Sequence, residues 1–252
     1  MSRTEVSITT PDGDARSFVF KPDQGSGPWP ATIVYMDAPA IRPALFDLAQ
    51  RLADNGYYVL LPDMFYRDGP YEPVTDVGAL FADEEARKRI FAKMGKATGV
   101  ESARSDTRAF LDFLAAQPEV SGAKVGVTGY CMGGRLALLA AGQFPDRVAA
   151  AGAFHGGGLA TDAPDSPHHL APGMRAKIFV GGADQDQGFP PEQAERLRGA
   201  LGAAGVEHQV EIFEGSRHGY VMTDLSVYDE AGAERHWREL VALFDSTLKA
   251  AA

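Results

Sequence analysis

The chain has 252 residues, 45 % of them hydrophobic and 23 % charged, with a formal net charge of −10 at neutral pH. This balance suits a soluble globular protein with a substantial core, and its acidity argues against nucleic acid, which needs a basic stripe to displace counterions. The single cysteine rules out an intramolecular disulfide; no signal-peptide-like stretch opens the chain and no ~18-residue apolar run follows, so a cytoplasmic protein with no membrane partner is expected.

In chain order, Val6-Ser7-Ile8 and Ser17-Phe18-Val19-Phe20 have strand chemistry, and Pro11-Asp12-Gly13-Asp14 between them has turn chemistry. A hairpin is therefore expected at the start. After a Gly/Pro-rich loop at 24–30, the short apolar run Ala31-Thr32-Ile33-Val34-Tyr35 reads as a strand buried on both faces. Helical spacing follows over 44–55, with Leu45, Leu48 and Leu52 on one face and Asn55-Gly56 as the stop. A strand at 57–61 ends at Pro62-Asp63, a Pro/Gly/Tyr-rich loop runs over 65–77, and helices are predicted over about 79–94 and 101–117. Then come a strand at 124–128, a Gly-rich turn, a helix at 135–143 and a strand at 148–154. The loop at 156–172 is expected to run over the sheet edge. A strand at 176–180, a helix at 192–204, a strand at 208–213 and an amphipathic helix at 230–248 complete the chain. Such alternation predicts one α/β domain over 1–252: a mainly parallel central sheet with helices on both faces and an N-terminal hairpin.

The turn between the strand at 124–128 and the helix at 135–143 reads Gly129-Tyr130-Cys131-Met132-Gly133, a G-x-C-x-G pattern. With serine in the middle this is the nucleophile elbow of α/β-hydrolases, a tight strand-to-helix turn that pushes its central side chain out above the sheet. Glycines two residues on either side let strand and helix approach without Cβ atoms, and the helix N-terminus offers free N–H groups. A lone cysteine is ordinarily a small buried hydrophobe; its place in this turn favours a nucleophilic thiol at Cys131.

On that fold the acid and the histidine follow the nucleophile in this order. Asp184 follows the strand at 176–180 and is the expected acid; Asp186, two residues on, competes. His218 lies in a loop after the last strand, flanked by small residues, and is the expected base. His208 and His236 fall within regular elements and read as structural. The pair His168-His169 lacks an accompanying ligand pattern, so no metal is expected. His155 follows the strand after the elbow helix, near the C-terminal sheet edge where ligands bind, and is a candidate pocket residue. Phe65, Tyr66, Tyr130, Phe154 and Tyr220 sit near the same edge and are candidate pocket walls.

Together Gly129-Tyr130-Cys131-Met132-Gly133-Gly134, Leu61-Pro62-Asp63-Met64-Phe65, Gly182-Ala183-Asp184 and His218-Gly219-Tyr220 resemble the dienelactone hydrolase family, the cysteine branch of the α/β-hydrolases, over about residues 5–248. The resemblance implies Cys131 as nucleophile, Asp184 as acid and His218 as base. It also implies an acidic residue near the thiol; Met36-Asp37 stands where the family has Gln-Glu, which makes Asp37 the candidate modulator of Cys131. One departure concerns the substrate. Dienelactone hydrolases hold a substrate carboxylate with arginines, one of them shortly after the catalytic histidine, and His218-Gly219-Tyr220-Val221-Met222 has none. A second cation would fall near Arg87-Lys88-Arg89.

The expected chemistry is hydrolysis of small esters or lactones through a thioester at Cys131. Backbone N–H groups of Met132 and of the loop near Ala38 would stabilise the oxyanion. No metal or organic cofactor is called for. A non-catalytic small-molecule-binding protein on the same fold is the alternative, and a redox role for Cys131 is disfavoured by the lack of a second cysteine.

Overall fold

The computed structural model describes residues 3–249. Met1 and Ser2, at the N-terminus where no signal peptide is expected, lie outside the described residues. The expected hairpin is β1 (Arg3–Thr10) and β2 (Gly13–Phe20). The strands β3 (Trp29–Tyr35), β4 (Tyr58–Pro62), β5 (Val120–Tyr130), β6 (Val148–Phe154), β7 (Lys177–Ala183) and β8 (His208–Phe213) follow. All eight form one sheet in the order β1-β2-β4-β3-β5-β6-β7-β8. The β1–β2 and β2–β4 pairs are antiparallel and the remaining pairs parallel. The fold is that of an α/β-hydrolase: parallel strands joined by helical crossovers, with an antiparallel hairpin added at one edge.

The crossovers place α1 (Pro43–Asp54) and α7 (Glu230–Phe244) side by side on one face, where Arg51 pairs with Glu234 and lies over the Trp237 ring. On the other face α4 (Val100–Ala115) and α5 (Met132–Gln143) are neighbours, joined by the Gln143 side chain donating to the Val100 carbonyl. The helix α6 (Pro191–Ala203) covers β8. Strand parity divides the core. Gly126 faces Phe244 of α7, Tyr130 and Phe154 contact His236 of α7, and Gly129 lies against α5.

The helix expected over 79–94 is two helices, α2 (Val77–Ala82) and α3 (Glu84–Ala97). The break has a local cause. Asp83 is extended, and its side chain accepts from Ala86 N, so it caps α3 while ending α2. Together α2 and α3 lie over the C-terminal edge of the sheet, above the elbow, and supply one wall of the cavity described next. No helix among the described residues is long and apolar enough to cross a membrane.

Candidate functional site

Cys131 stands between β5 and α5 with φ 54° and ψ −117°, a conformation that L-residues rarely adopt. Its N–H donates to Phe154 O at 3.1 Å, and its carbonyl accepts from Gly134 N at 3.1 Å. The flanking glycines explain how the chain tolerates this turn. A Cβ on Gly129 would lie 2.0 Å from Gly133 O, and one on Gly133 would lie 2.3 Å from Tyr35 O. Both contacts are with backbone, which cannot swing aside. Gly133→Ala is therefore expected to cost about 3 kcal/mol of stability, read by chemical denaturation, because β3 must part from the start of α5.

Among the described residues, four besides glycine have positive φ: Ala40 (67°), Cys131 (54°), His155 (37°) and Gln185 (53°). They follow β3, β5, β6 and β7 respectively, four adjacent strands of the sheet. Unfavourable backbone is thus gathered along one stretch of the C-terminal edge, where open α/β sheets bind ligands.

The loop after β8 brings His218 to this edge. Its Nδ1 donates to Oδ2 of Asp186 at 2.7 Å. The His218 side chain is 40 % exposed and that of Asp186 only 6 %. Partial burial lowers the imidazole pKa, but the hydrogen bond to Asp186, with its charge, and the proximity of Cys131 outweigh it and raise the value to about 10. Asp186 is itself fixed, since its Oδ1 accepts from Gly188 N at 2.8 Å.

The carboxylate on His218 is therefore that of Asp186, not of Asp184 as expected from the sequence. Asp184 does other work at the same edge. Its Oδ2 accepts from Gly215 N at 3.1 Å and its N–H donates to Ser216 O at 2.7 Å, which clips the His218 loop to the end of β7. Between the two acids, Gln185 is left-handed, and the turn it makes sends the two carboxylates to different partners.

Asp37 is buried, but both of its oxygens are taken by Arg42, Oδ1 from Nη1 at 2.5 Å and Oδ2 from Nη2 at 2.9 Å. Arg42 also donates through Nε and Nη2 to Asp224, at 2.5 and 3.1 Å, and through Nη1 to Ala40 O at 3.2 Å. All five N–H donors of the guanidinium are spent. Burial pulls the Arg42 pKa down, yet Asp37 and Asp224 more than offset it and hold the charge. Asp37, expected to modulate the thiol, thus anchors a carboxylate–arginine–carboxylate bridge between the loop after β3 and the loop that carries His218. Arg42→Met would leave the Asp37 charge buried and unpaired, and is expected to cost about 3–5 kcal/mol in denaturant unfolding.

Cys131 and His218 open into a cavity of about 310 Å³, which Asp37, Ala38, Pro39, His155, Gly219 and Leu225 also line from the loops. Val77 and Phe81 of α2 and Phe91 and Met94 of α3 complete it. Ala38, a candidate oxyanion donor, is in the wall, and Met132, the other, begins α5 beside the thiol. The first N–H groups of a helix lack intrahelical partners, so that of Met132 suits the role.

Of the six residues expected to form the pocket, only His155 does so. Tyr130 hydrogen-bonds His236 at 2.8 Å and Phe154 packs on the same ring at 4.3 Å, because strand parity turns both beneath α7. Tyr220 is buried with its hydroxyl on Gly181 O at 3.2 Å. Tyr66 bonds Thr10 and Asp106, and Phe65 is buried in the core. Arg87 turns back to Phe81 O, and Lys88 pairs with Glu84 and Glu85 on the outer face of α3. None of Arg87, Lys88 and Arg89 lines the cavity.

His155 is 1 % exposed, and neither ring nitrogen has a hydrogen-bond partner among the described residues. Its ring stands edge-on to His218, with centroids 5.2 Å apart. Burial, then the proximity of His218, lowers its pKa well below the usual value, so it is a neutral imidazole in the cavity wall. Among the described residues, no group of three or more His, Cys, Asp or Glu is placed to hold a metal ion.

Comparison with known proteins agrees with this architecture. The model of the "Dienelactone hydrolase family" matches residues 15–248. A relative from Escherichia coli (strain K12), described as "Putative carboxymethylenebutenolidase", is 27 % identical over 245 residues, covering 95 % of this chain and 85 % of its own. A crystal structure from Klebsiella pneumoniae, described as "Putative Dienelactone Hydrolase", superposes with a TM-score of 0.80 at 23 % identity, covering 96 % of this chain and 98 % of its own. A metagenomic protein described as "Dienelactone Hydrolase-like Promiscuous Phospotriesterase P91" superposes with a TM-score of 0.73 at 25 % identity, covering 98 % of this chain and 99 % of its own.

Proposed function

The chain belongs to the dienelactone hydrolase family, and from that premise we propose that it hydrolyses ester or lactone bonds of small molecules, with Cys131 as nucleophile, His218 as base and Asp186 as acid. The observation that carries this reading is the line Cys131–His218–Asp186 at the foot of a cavity of substrate size. His218 takes the Cys131 proton, and the thiolate adds to the carbonyl carbon. The oxyanion accepts from the N–H groups of Met132 and Ala38; one such donor is typically worth about 10²–10³ in rate. As the tetrahedral species collapses, His218 gives its proton to the leaving alkoxide and a thioester remains on Cys131. His218 then takes a proton from water, the hydroxide attacks the thioester, and the acid product leaves with the thiol restored. Asp186 holds the imidazole in the tautomer with Nδ1 protonated and stabilises its cation.

The test is the initial rate with p-nitrophenyl acetate, a panel of simple lactones and, because one solved relative is described as a phosphotriesterase, paraoxon, before and after stoichiometric iodoacetamide. Hydrolysis abolished by alkylation supports the reading. Binding of these compounds without turnover would favour the non-catalytic alternative.

A further inference from the structure

The cavity wall has an unusual charge balance. Its titratable members are Asp37, Cys131, His155 and His218. Asp37 is neutralised by Arg42, His155 is uncharged, and His218 is matched by Asp186. The buried cation nearest this wall, Arg42, has no donor left, because Asp37, Asp224 and the Ala40 carbonyl take all five. None of the cations of α3 lines the cavity: Arg87 donates to the Phe81 carbonyl, Lys88 pairs with Glu84 and Glu85, Lys93 lies over the Tyr71 ring at 5.1 Å and Lys96 pairs with Asp68. What faces the thiol from above is hydrocarbon: Val77, Phe81, Phe91, Met94 and Leu225. A carboxylate placed there would lose its hydration and gain no partner, and the bridge beside it carries two acids on one arginine.

We propose that this site selects an uncharged, hydrophobic acyl group and discriminates against substrates that carry a carboxylate on it. The proposal rests on the esterase reading above and narrows it to a substrate class. The acyl chain lies against α2 and α3 with its carbonyl at Cys131, and the leaving group departs past His218 toward solvent.

The experiment compares p-nitrophenyl hexanoate with p-nitrophenyl hydrogen adipate, esters of equal chain length that differ in a terminal methyl or carboxylate. The expected kcat/KM for the adipate is lower by at least about tenfold, the least that an unpartnered polar group against apolar surface costs. Equal rates, or a faster adipate, overturn the proposal while leaving the esterase reading intact; turnover of neither removes the esterase reading itself. A binding arm needs no turnover: hexanamide is expected to protect Cys131 from iodoacetamide at lower concentration than adipic acid monoamide, and equal protection overturns the selectivity. A third arm adds charge at the rim. Phe91 is 54 % exposed, so Phe91→Lys leaves the core untouched, and it is expected to narrow the hexanoate-to-adipate ratio by about threefold or more, as a half-exposed ion pair would. An unchanged ratio would overturn the placement of the acyl chain along this wall.

Discussion

Cys131→Ala is expected to lower kcat for a p-nitrophenyl ester by at least about 10⁴-fold, with little change in the far-ultraviolet circular dichroism spectrum. The magnitude follows from the way nucleophile, base and acid act as one unit, so that loss of the nucleophile removes nearly all the acceleration the unit supplies. Fold retention follows from position. The thiol is only partly buried and sits on a turn fixed by backbone hydrogen bonds and by Gly129 and Gly133. Alanine keeps the Cβ and therefore the strained φ of 54°. Cys131→Gly should unfold at higher denaturant than Cys131→Ala, since glycine adopts that conformation at no steric cost. Initial rates at saturating substrate, with the unfolding midpoint of each variant, check both statements.

The second large effect separates two carboxylates that are neighbours in sequence. Asp186→Asn is expected to lower kcat by about 10²–10⁴-fold, because the His218 cation loses its counter-charge and the amide permits the wrong tautomer. Asp184→Asn should keep kcat within about tenfold, since an amide oxygen still accepts from Gly215 N. The same pair is separated by a pH titration of His218 by NMR. In the native protein its pKa is raised to about 10. Asp186→Asn should lower it, with the remaining elevation owed to Cys131, whereas Asp184→Asn should leave it as it is in the native protein. If instead Asp184→Asn is the inactive variant, the assignment of the acid is reversed.

The contrast between these two acids shows where the sequence was informative. The strand-to-helix turn at 129–133 could be found because its requirements are local: two glycines at fixed spacing, a buried strand before and a helix after. The alternation of strands and helices was legible for the same reason, and so was the place of His218 just past the last strand. Asp186 was only a competitor because its selection depends on the left-handed turn at Gln185 and on the meeting of two loops, which no short-range pattern encodes. The bridge through Arg42 was invisible because Asp224 lies far from Asp37 in sequence.

The pocket misassignment has a different physical origin. Tyr130 and Phe154 end adjacent strands at the correct edge, but strand parity sends both side chains under α7. A signal for the true wall existed in the sequence: Val77 and Phe81 are four residues apart, and Phe91 and Met94 three apart, each pair on one helical face. Their use as a cavity wall rather than core packing depends on where α2 and α3 settle over the sheet edge.

The most direct measurement is to quench Asp186→Asn with acid during turnover of p-nitrophenyl hexanoate and to map the acylated peptide by mass spectrometry. Slowed deacylation should let the intermediate build up, and the expected result is a hexanoyl adduct on Cys131, released by hydroxylamine. Turnover with the adduct on another residue, or undiminished turnover in native protein whose Cys131 is fully alkylated, would contradict cysteine-based acyl transfer.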